Sequence, residues 1–339
     1  MAGVPSILKA LARSVWREQR SFESIAANNF FLFTALMLQQ SGAFVLLLVG
    51  LLLIFPLSAD PLRKIPPERL GLWPLTSGER LLLRIASLWL SPAVWITLGM
   101  MLWAGLPQLG LKFLALMAMA HLLSLFFTWL PKQAPHANLF RLVPAAPGKL
   151  GGLVRKNLRE FLSVLDAYPA VLIAVSSRLY HHLVSPLEPE AWFALTLIVA
   201  VAFSTYAQCL FGLDSESGYT RYRLLPLRGW QILLAKDLAV MMVLVLCVLP
   251  LAPLAGIAAG LAALAVGHHP SIQRARTQHR WRFTAGAGIG FGILQVILMF
   301  GAAALLEKGS GWWMGPIVAA YAASLAIYGW GFEGNSTFA

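Results

Sequence analysis

The sequence predicts an all-α polytopic membrane protein. It has about ten apolar segments, eight to ten of them full spans, in two pseudo-repeats of the same orientation. Composition is the first observation that predicts it. The chain is 58% apolar and 12% charged, against roughly 45–50% and about 25% in soluble domains. Runs such as "FVLLLVGLLLIF" and "FLALMAMAHLLSLFFTWL" cannot all be buried in one water-soluble core. The second is the placement of cations. Of 26 Lys and Arg, 23 fall in residues 1–23, 60–84, 132–160, 214–237 and 268–283, leaving Lys112, Arg178 and Lys308 elsewhere. Retention of basic loops on the cytoplasmic side produces this bias. A net charge of +12 placed in this way makes no nucleic-acid-binding face, and no readout module is present. The third is a recurrence: "RLGLWPLTSGERLLLR" (69–84) returns in outline as "RYRLLPLRGWQILLAK" (221–236).

The first element is an amphipathic helix over residues 7–20. At 100° per residue Ile7, Leu8, Leu11 and Val15 share one face, and Lys9, Arg13, Arg17 and Arg20 the other. Such a helix lies at the headgroup level, cations towards anionic lipid. No secretory signal peptide is expected, because the first apolar run starts near residue 30. Residues 24–58 give a hairpin of two short spans turning near Gln40–Gly42, and 85–131 a longer one broken near Gly105–Gly110.

The amphipathic pattern recurs at 149–161, with Leu150, Val154, Leu158 and Phe161 opposite Arg155, Lys156 and Arg159. Residues 161–213 form a hairpin whose outer turn is "SPLEPE" (185–190). Residues 238–267 hinge at "PLAP" (250–253) into two helices of about 14 residues, roughly 21 Å each against a ~30 Å hydrocarbon core. They are expected to be tilted, kinked or re-entrant. Residues 284–306 and 313–331 close the chain as a hairpin around Glu307 and Lys308. The pseudo-repeats are then 1–147 and 148–339, with both termini cytoplasmic.

Gapless alignment of the recurring stretch pairs Arg69 with Arg221, Pro74 with Pro226, Glu79 with Gln231 and Arg84 with Lys236, 152 positions apart. Topology asks for cations but for no order of residues, so the ordered recurrence favours docking of a partner. Thr76 and Glu79 have capping-box spacing. Each stretch runs straight into a span, so a push on the loop passes along a helix into the bilayer.

Gln39, Gln40, His121, Asp166, Gln208 and Gln295 interrupt apolar segments and should face other helices or a transport pathway. Asp166 either lines such a pathway or reaches back to Arg159 or the headgroups, and the second reading is favoured. "GAGIGFG" (286–292) does not fit a dinucleotide fingerprint, and its overlapping G-x-x-x-G pairs suit close helix packing. The pairs His181–His182 and His268–His269 are expected at the interfaces. Cys209 and Cys247 are expected as buried free thiols. No Ser/His/Asp set or paired carboxylates emerges from the spacing, so no catalytic residue, metal ligand or bound cofactor is expected.

"FGLDSESGYTRYRLLPLRGWQILLAK" (211–236) resembles the cytoplasmic connection of ABC-transporter permeases of the type-2 exporter class. Asp214, Gly218, Thr220, Leu224, Leu225, Pro226 and Lys236 fill the places of that motif, with Tyr219 intervening between glycine and threonine. The amphipathic helix before it resembles the elbow helix of the same class. The second half resembles a six-segment permease, whereas the first keeps the elbow and the loop but lacks the last hairpin.

The resemblance implies a permease subunit in the cytoplasmic membrane, itself no enzyme, whose loops 60–84 and 214–236 contact a separate ATPase subunit. The contact residues would be Arg69, Pro74, Glu79, Arg84, Asp214, Arg221, Arg223, Pro226, Gln231 and Lys236. No G-x-x-x-x-G-K-[ST] loop occurs in the chain, so ATP and magnesium would be held by that partner. A homodimer or a second permease chain would complete the pathway, among membrane lipids. The alternatives are a secondary transporter or channel without an ATPase, and a membrane-embedded enzyme acting on lipid.

Overall fold

In the computed structural model the residues described are 3–17, 28–30, 75–90, 107–129, 150–183, 185–214, 224–273 and 283–334, with isolated positions between them. They form ten α-helices and no strand. The chain divides into two compact units, Met1–Glu23 with Thr34–Ala137, and Ser24–Phe33 with Asn138–Ala339. The expected division lay at 147/148. The segment Ser24–Phe33, read as the start of the first hairpin, is instead part of the second unit.

In the first unit α1 (Gly3–Arg17) bears out the amphipathic reading, with Val4 buried and Lys9 and Arg13 exposed. It packs on α2 (Ser77–Ser87). The capping box is present: the Thr76 N–H and hydroxyl both donate to Glu79 Oε2 at 2.9 Å, and the Glu79 N–H donates to Thr76 Oγ1 at 3.3 Å. These bonds hold the Glu79 carboxyl below its ordinary range. A 3-10 turn, Leu88–Leu90, follows α2 directly. The first span expected in 85–131 is therefore not one continuous helix in its described part. α3 (Pro107–Trp129) begins inside the expected break and buries Phe113, Met117 and His121 along one stripe. The short hairpin expected at 24–58 lies outside the described residues, apart from 28–30.

The second unit follows the predicted order. α4 (Gly151–Phe161) turns Val154, Leu158 and Phe161 inward. Gly148, at φ 91, sits in the left-handed region just before it, and its carbonyl accepts from the Gly151 N–H at 3.0 Å. α5 (Ala167–Leu183) and α6 (Pro189–Ala207) form the hairpin, and Pro189 suits the first helical turn. α7 (Gly229–Val248) and α8 (Pro253–Gln273) meet at "PLAP", where the Ala252 N–H donates to Thr196 Oγ1 on α6 at 3.0 Å. α9 (Ile289–Lys308) and α10 (Met314–Gly334) end the chain.

Five helices, α6 to α10, are long and apolar enough to cross a membrane, and the protein is membrane-embedded. Among the described residues the count is thus five, against about ten apolar segments expected. The short-helix expectation for 238–267 is corrected. α7 has 20 residues and α8 has 21, which is about 30 Å each at 1.5 Å per residue. α7 extends through Lys236 and Asp237 and α8 through His268 and His269, which the sequence places in polar cytoplasmic stretches. These side chains find partners between helices, so the helices continue.

α8 occupies the middle of this unit, packed against α6, α7, α9 and α10. Its small residues permit that. A Cβ on Gly267 would strike the Ala207 carbonyl of α6, and one on Gly260 would strike Leu244 of α7. The G-x-x-x-G reading of 286–292 is overturned, because Gly286 and Gly288 precede α9 and nothing approaches Gly290. Gly292 is crowded by the Asn29 side chain, while nothing lies near Gly288 or Gly290.

α10 is the barest of the five spanning helices. Trp312 and Trp313 before it and Trp330 near its end are exposed. The 18 residues from Trp312 to Trp330 rise about 27 Å. That spacing suits aromatic anchors at both faces of a bilayer.

Candidate functional site

Polar side chains in the second unit gather into three centres. The first joins α4, the loop after α6 and the foot of α7. Lys236 Nζ donates to Asp214 Oδ2 at 2.7 Å, and each side chain is 2% exposed. Lys156 Nζ donates to Asp214 Oδ1 at 2.8 Å and lies 3.2 Å from Glu160 Oε1, while Glu160 Oε2 is 4.0 Å from Lys236 Nζ. The Tyr222 hydroxyl donates to Asp214 Oδ1 at 3.0 Å and accepts from Lys156 Nζ at 2.7 Å. Lys236 also sits over the rings of Phe211 and Tyr222.

Two buried or half-buried cations thus face two carboxylates across three elements. Burial works to raise the pKa of Asp214, but the Lys236 charge and hydrogen bonds from Lys156 and Lys236 outweigh it and hold it below the usual carboxylate range. Burial, then the charges of Asp214 and Glu160, push the Tyr222 hydroxyl far up.

A second centre lies where α5 begins, α6 ends and α9 starts. Asn29 Nδ2 donates to Ser204 Oγ at 2.8 Å and to Gln295 Oε1 at 3.0 Å, and the Asn29 N–H donates to Thr205 Oγ1 at 2.9 Å. Gln208 Nε2 donates to Gln295 Oε1 at 2.7 Å, and Gln295 Nε2 donates to the Ala263 carbonyl of α8 at 2.7 Å. Asp166 accepts from Asn28 Nδ2 at 3.0 Å, from the Thr284 N–H at 2.9 Å and from the Thr284 hydroxyl at 2.9 Å. Asp166 therefore turns into the protein, 1% exposed, and clamps residues 28 and 284 to the foot of α5. The favoured reading, a reach back to Arg159 or the headgroups, is corrected. The Asp166 set and the Gln208–Gln295 set meet through the adjacent residues Asn28 and Asn29.

The third centre lies between α7, α8 and α10. His268 Nε2 is 3.0 Å from Asp237 Oδ2, and its Nδ1 is 2.9 Å from Ser324 Oγ. The Tyr321 hydroxyl donates to Asp237 Oδ2 at 2.7 Å, and the Ser324 hydroxyl donates to the Ala265 carbonyl at 2.7 Å. These four side chains form one hydrogen-bonded chain that ties α7 and α8 to α10.

His268 is 0% exposed and its partner 1%. The interfacial expectation for His268 is overturned. His269, on the neighbouring face, stacks on Phe291 and approaches the Tyr328 hydroxyl at 3.2 Å. Near the opposite end of the bundle His181 Nδ1 accepts from the Leu187 N–H at 2.9 Å.

Asp237 carries no sequence signal of its own, being one acid beside one lysine. Its distance from the ends of α7 would have been the clue, had the helix been read at its full length.

The expected docking residues divide. Glu79 and Gln231 do the same local job. Gln231 Oε1 accepts from the Arg228 N–H at 2.9 Å, as Glu79 accepts from the Thr76 N–H, and positions 228 and 76 are the aligned pair. α2 and α7 consequently begin at aligned residues, Ser77 and Gly229. Arg84 and Pro226 are exposed. Asp214 and Lys236 face inward, holding the loop rather than presenting it. Arg69, Pro74, Arg221 and Arg223 lie outside the described residues, as do Gln39 and Gln40.

His121 is 7% exposed on α3, its Nε2 without a hydrogen-bond partner among the described residues. Cys209 and Cys247 are buried and form no disulfide among the described residues, and the Cys209 thiol donates to the Ala285 carbonyl at 3.0 Å. Among the described residues no group of three or more His, Cys, Asp or Glu is placed to hold a metal ion. No family model, no curated protein and no solved structure matches this chain.

Proposed function

We propose that this chain is the membrane-spanning permease subunit of an ATP-driven exporter of the ABC type, working with a separate ATPase subunit in the cytoplasmic membrane. The observation that supports this reading is the ionic knot of Lys156, Glu160, Asp214 and Lys236. It fastens the loop after α6 to the interfacial helix α4 and to the foot of α7. A partner that displaced the loop would move a spanning helix with it, as domain closure transmitted through packed elements requires. The exposed Arg84 and Pro226 stand where such a partner would press. Nucleotide and magnesium reside on the ATPase, both termini are cytoplasmic, and a second permease chain or a second copy completes the pathway.

Purification in mild detergent tests the reading. The wild-type chain should retain an ATPase subunit. Charge reversal of Arg221 with Arg223, or of Arg69 with Arg84, should weaken that retention while membrane insertion stays normal. Retention unchanged in both variants counts against the docking assignment.

A second reading, a secondary transporter that needs no ATPase, draws on the Asp237–His268 pair. Ionisable pairs inside spanning helices commonly mark ion or proton pathways. Substrate movement driven by an ion gradient in vesicles lacking nucleotide would favour it over the first.

A further inference from the structure

A groove of about 440 Å³ runs between the start of α7 and the last turns of α10, lined by Arg228, Trp230, Ala322, Leu325, Ala326 and Trp330. Its size falls within the roughly 300–1,000 Å³ of small-molecule clefts. The sequence builds it from two features. Gly329 lets α10 approach the backbone of Trp230, where a Cβ would come within 2.5 Å. Ala322 and Ala326, one turn apart, then leave a trough where larger side chains would fill it. Trp230 and Trp330 stand exposed at its edges, 38% and 78% respectively.

Arg228 is at its mouth. Its N–H is engaged by Gln231, while its side chain is exposed and no carboxylate among the described residues pairs with it. An apolar trough, two tryptophans at its edges and one guanidinium unpaired among the described residues match a single class of occupant.

We infer that this groove binds an anionic phospholipid from the leaflet on that side. Its phosphate lies on Arg228, its glycerol region between Trp230 and Trp330, and one acyl chain along Ala322 and Ala326. Guanidinium and phosphate are matched in charge and hydrogen-bond geometry. Tryptophan rings favour the headgroup level, and the small-residue trough takes the methylene chain. This assignment does not depend on an ATPase partner. It places the lipid beside Gln231, at the point where the repeated loop becomes α7.

The test uses the full chain, purified and analysed by native mass spectrometry after addition of dioleoylphosphatidylglycerol or dioleoylphosphatidylcholine. The wild type should hold one phosphatidylglycerol in preference to phosphatidylcholine. Arg228→Gln should weaken that binding about fivefold, the contribution of one basic residue near an anionic lipid. Ala326→Leu, which fills the trough and leaves the charge, should also release the lipid, with melting temperature checked to show that the bundle is intact.

Excess inorganic phosphate should not displace the lipid, because the tail holds it. Equal retention of phosphatidylglycerol by wild type and Arg228→Gln would overturn the proposal, as would retention unaffected by Ala326→Leu, since both mean ordinary annular lipid. Displacement by phosphate alone would also overturn it, reducing the site to an anion contact. A shift of both variants from dimer to monomer with lipid unchanged would assign the groove to a second copy instead.

Discussion

Lys236 and Asp237 are neighbours on α7 and face different sides, Lys236 to Asp214 at 2.7 Å and Asp237 to His268 at 3.0 Å. Successive residues of a helix point about 100° apart, so one turn of α7 carries two buried pairs on different sides. One pair fixes the helix to α4 and the loop. The other fixes it to α8 and, through Tyr321 and Ser324, to α10. α7 is thereby tied to both surroundings at a single level.

Removing one member of the first pair should be costly and removing both should not. Lys236→Ala is expected to destabilise by about 3–5 kcal/mol, because Asp214 is left buried without its main partner. Lys236→Met combined with Asp214→Leu should recover most of that loss, since apolar replacement of a whole buried pair is often neutral. Thermal unfolding in detergent of the two singles and the double measures the difference.

Acid should loosen the same pair. Folding lowers the Asp214 pKa, so the unfolded chain holds its proton at a pH where the folded chain has released it. The contribution to stability is therefore complete above the unfolded value of about 3.9 and is lost as pH falls through the lower folded value. The melting temperature of the wild type should drop across that acid window. Asp214→Asn, already less stable at neutral pH, should lack that component of the drop.

The Asp237–His268 pair should prefer an amide to a truncation. His268→Ala strands a buried carboxylate with Tyr321 as its remaining donor, and a loss of about 3–5 kcal/mol is expected. His268→Gln, whose amide donates to Asp237, should lose clearly less. Proteolysis of the C-terminal hairpin would report the same order, fastest for His268→Ala.

Gly267→Ala tests the approach of α8 to α6. The added methyl meets the Ala207 backbone carbonyl rather than a side chain that could swing away. A penalty of about 1–3 kcal/mol is expected. Gly301→Ala, where nothing lies nearby, should be neutral or slightly stabilising, since alanine is the better helix former. Unfolding of the two variants side by side separates them.

The order of elements in the second half was legible because each carries its own signal. Amphipathic spacing marks α4, "SPLEPE" marks the α5–α6 turn and "PLAP" marks the α7–α8 turn. Helix length was not legible at Asp237 and His268. A charged residue reads as the end of a span in a sequence, and only a partner 31 residues away makes it interior. Asp166 failed for the same reason, its acceptor role being set by Asn28 and Thr284, 138 and 118 positions distant. Glu79 and Gln231 show the converse. Their bonds are made three residues away, and a local recurrence in the sequence was enough to expose a local structural device.

The scarcity of protein around α10 sets where this molecule yields first. It is held along one face, where Tyr321, Ser324, Tyr328 and Gly329 meet α7 and α8, while most of its length is exposed, and hydrocarbon contacts, nearly equal in every direction, offer no restoring force of their own. Opening free energy within the second unit should consequently be lowest there. The last helix is a door on a thin hinge line, and a bilayer too thick or too thin for its two tryptophan rims would set it ajar before disturbing any other span.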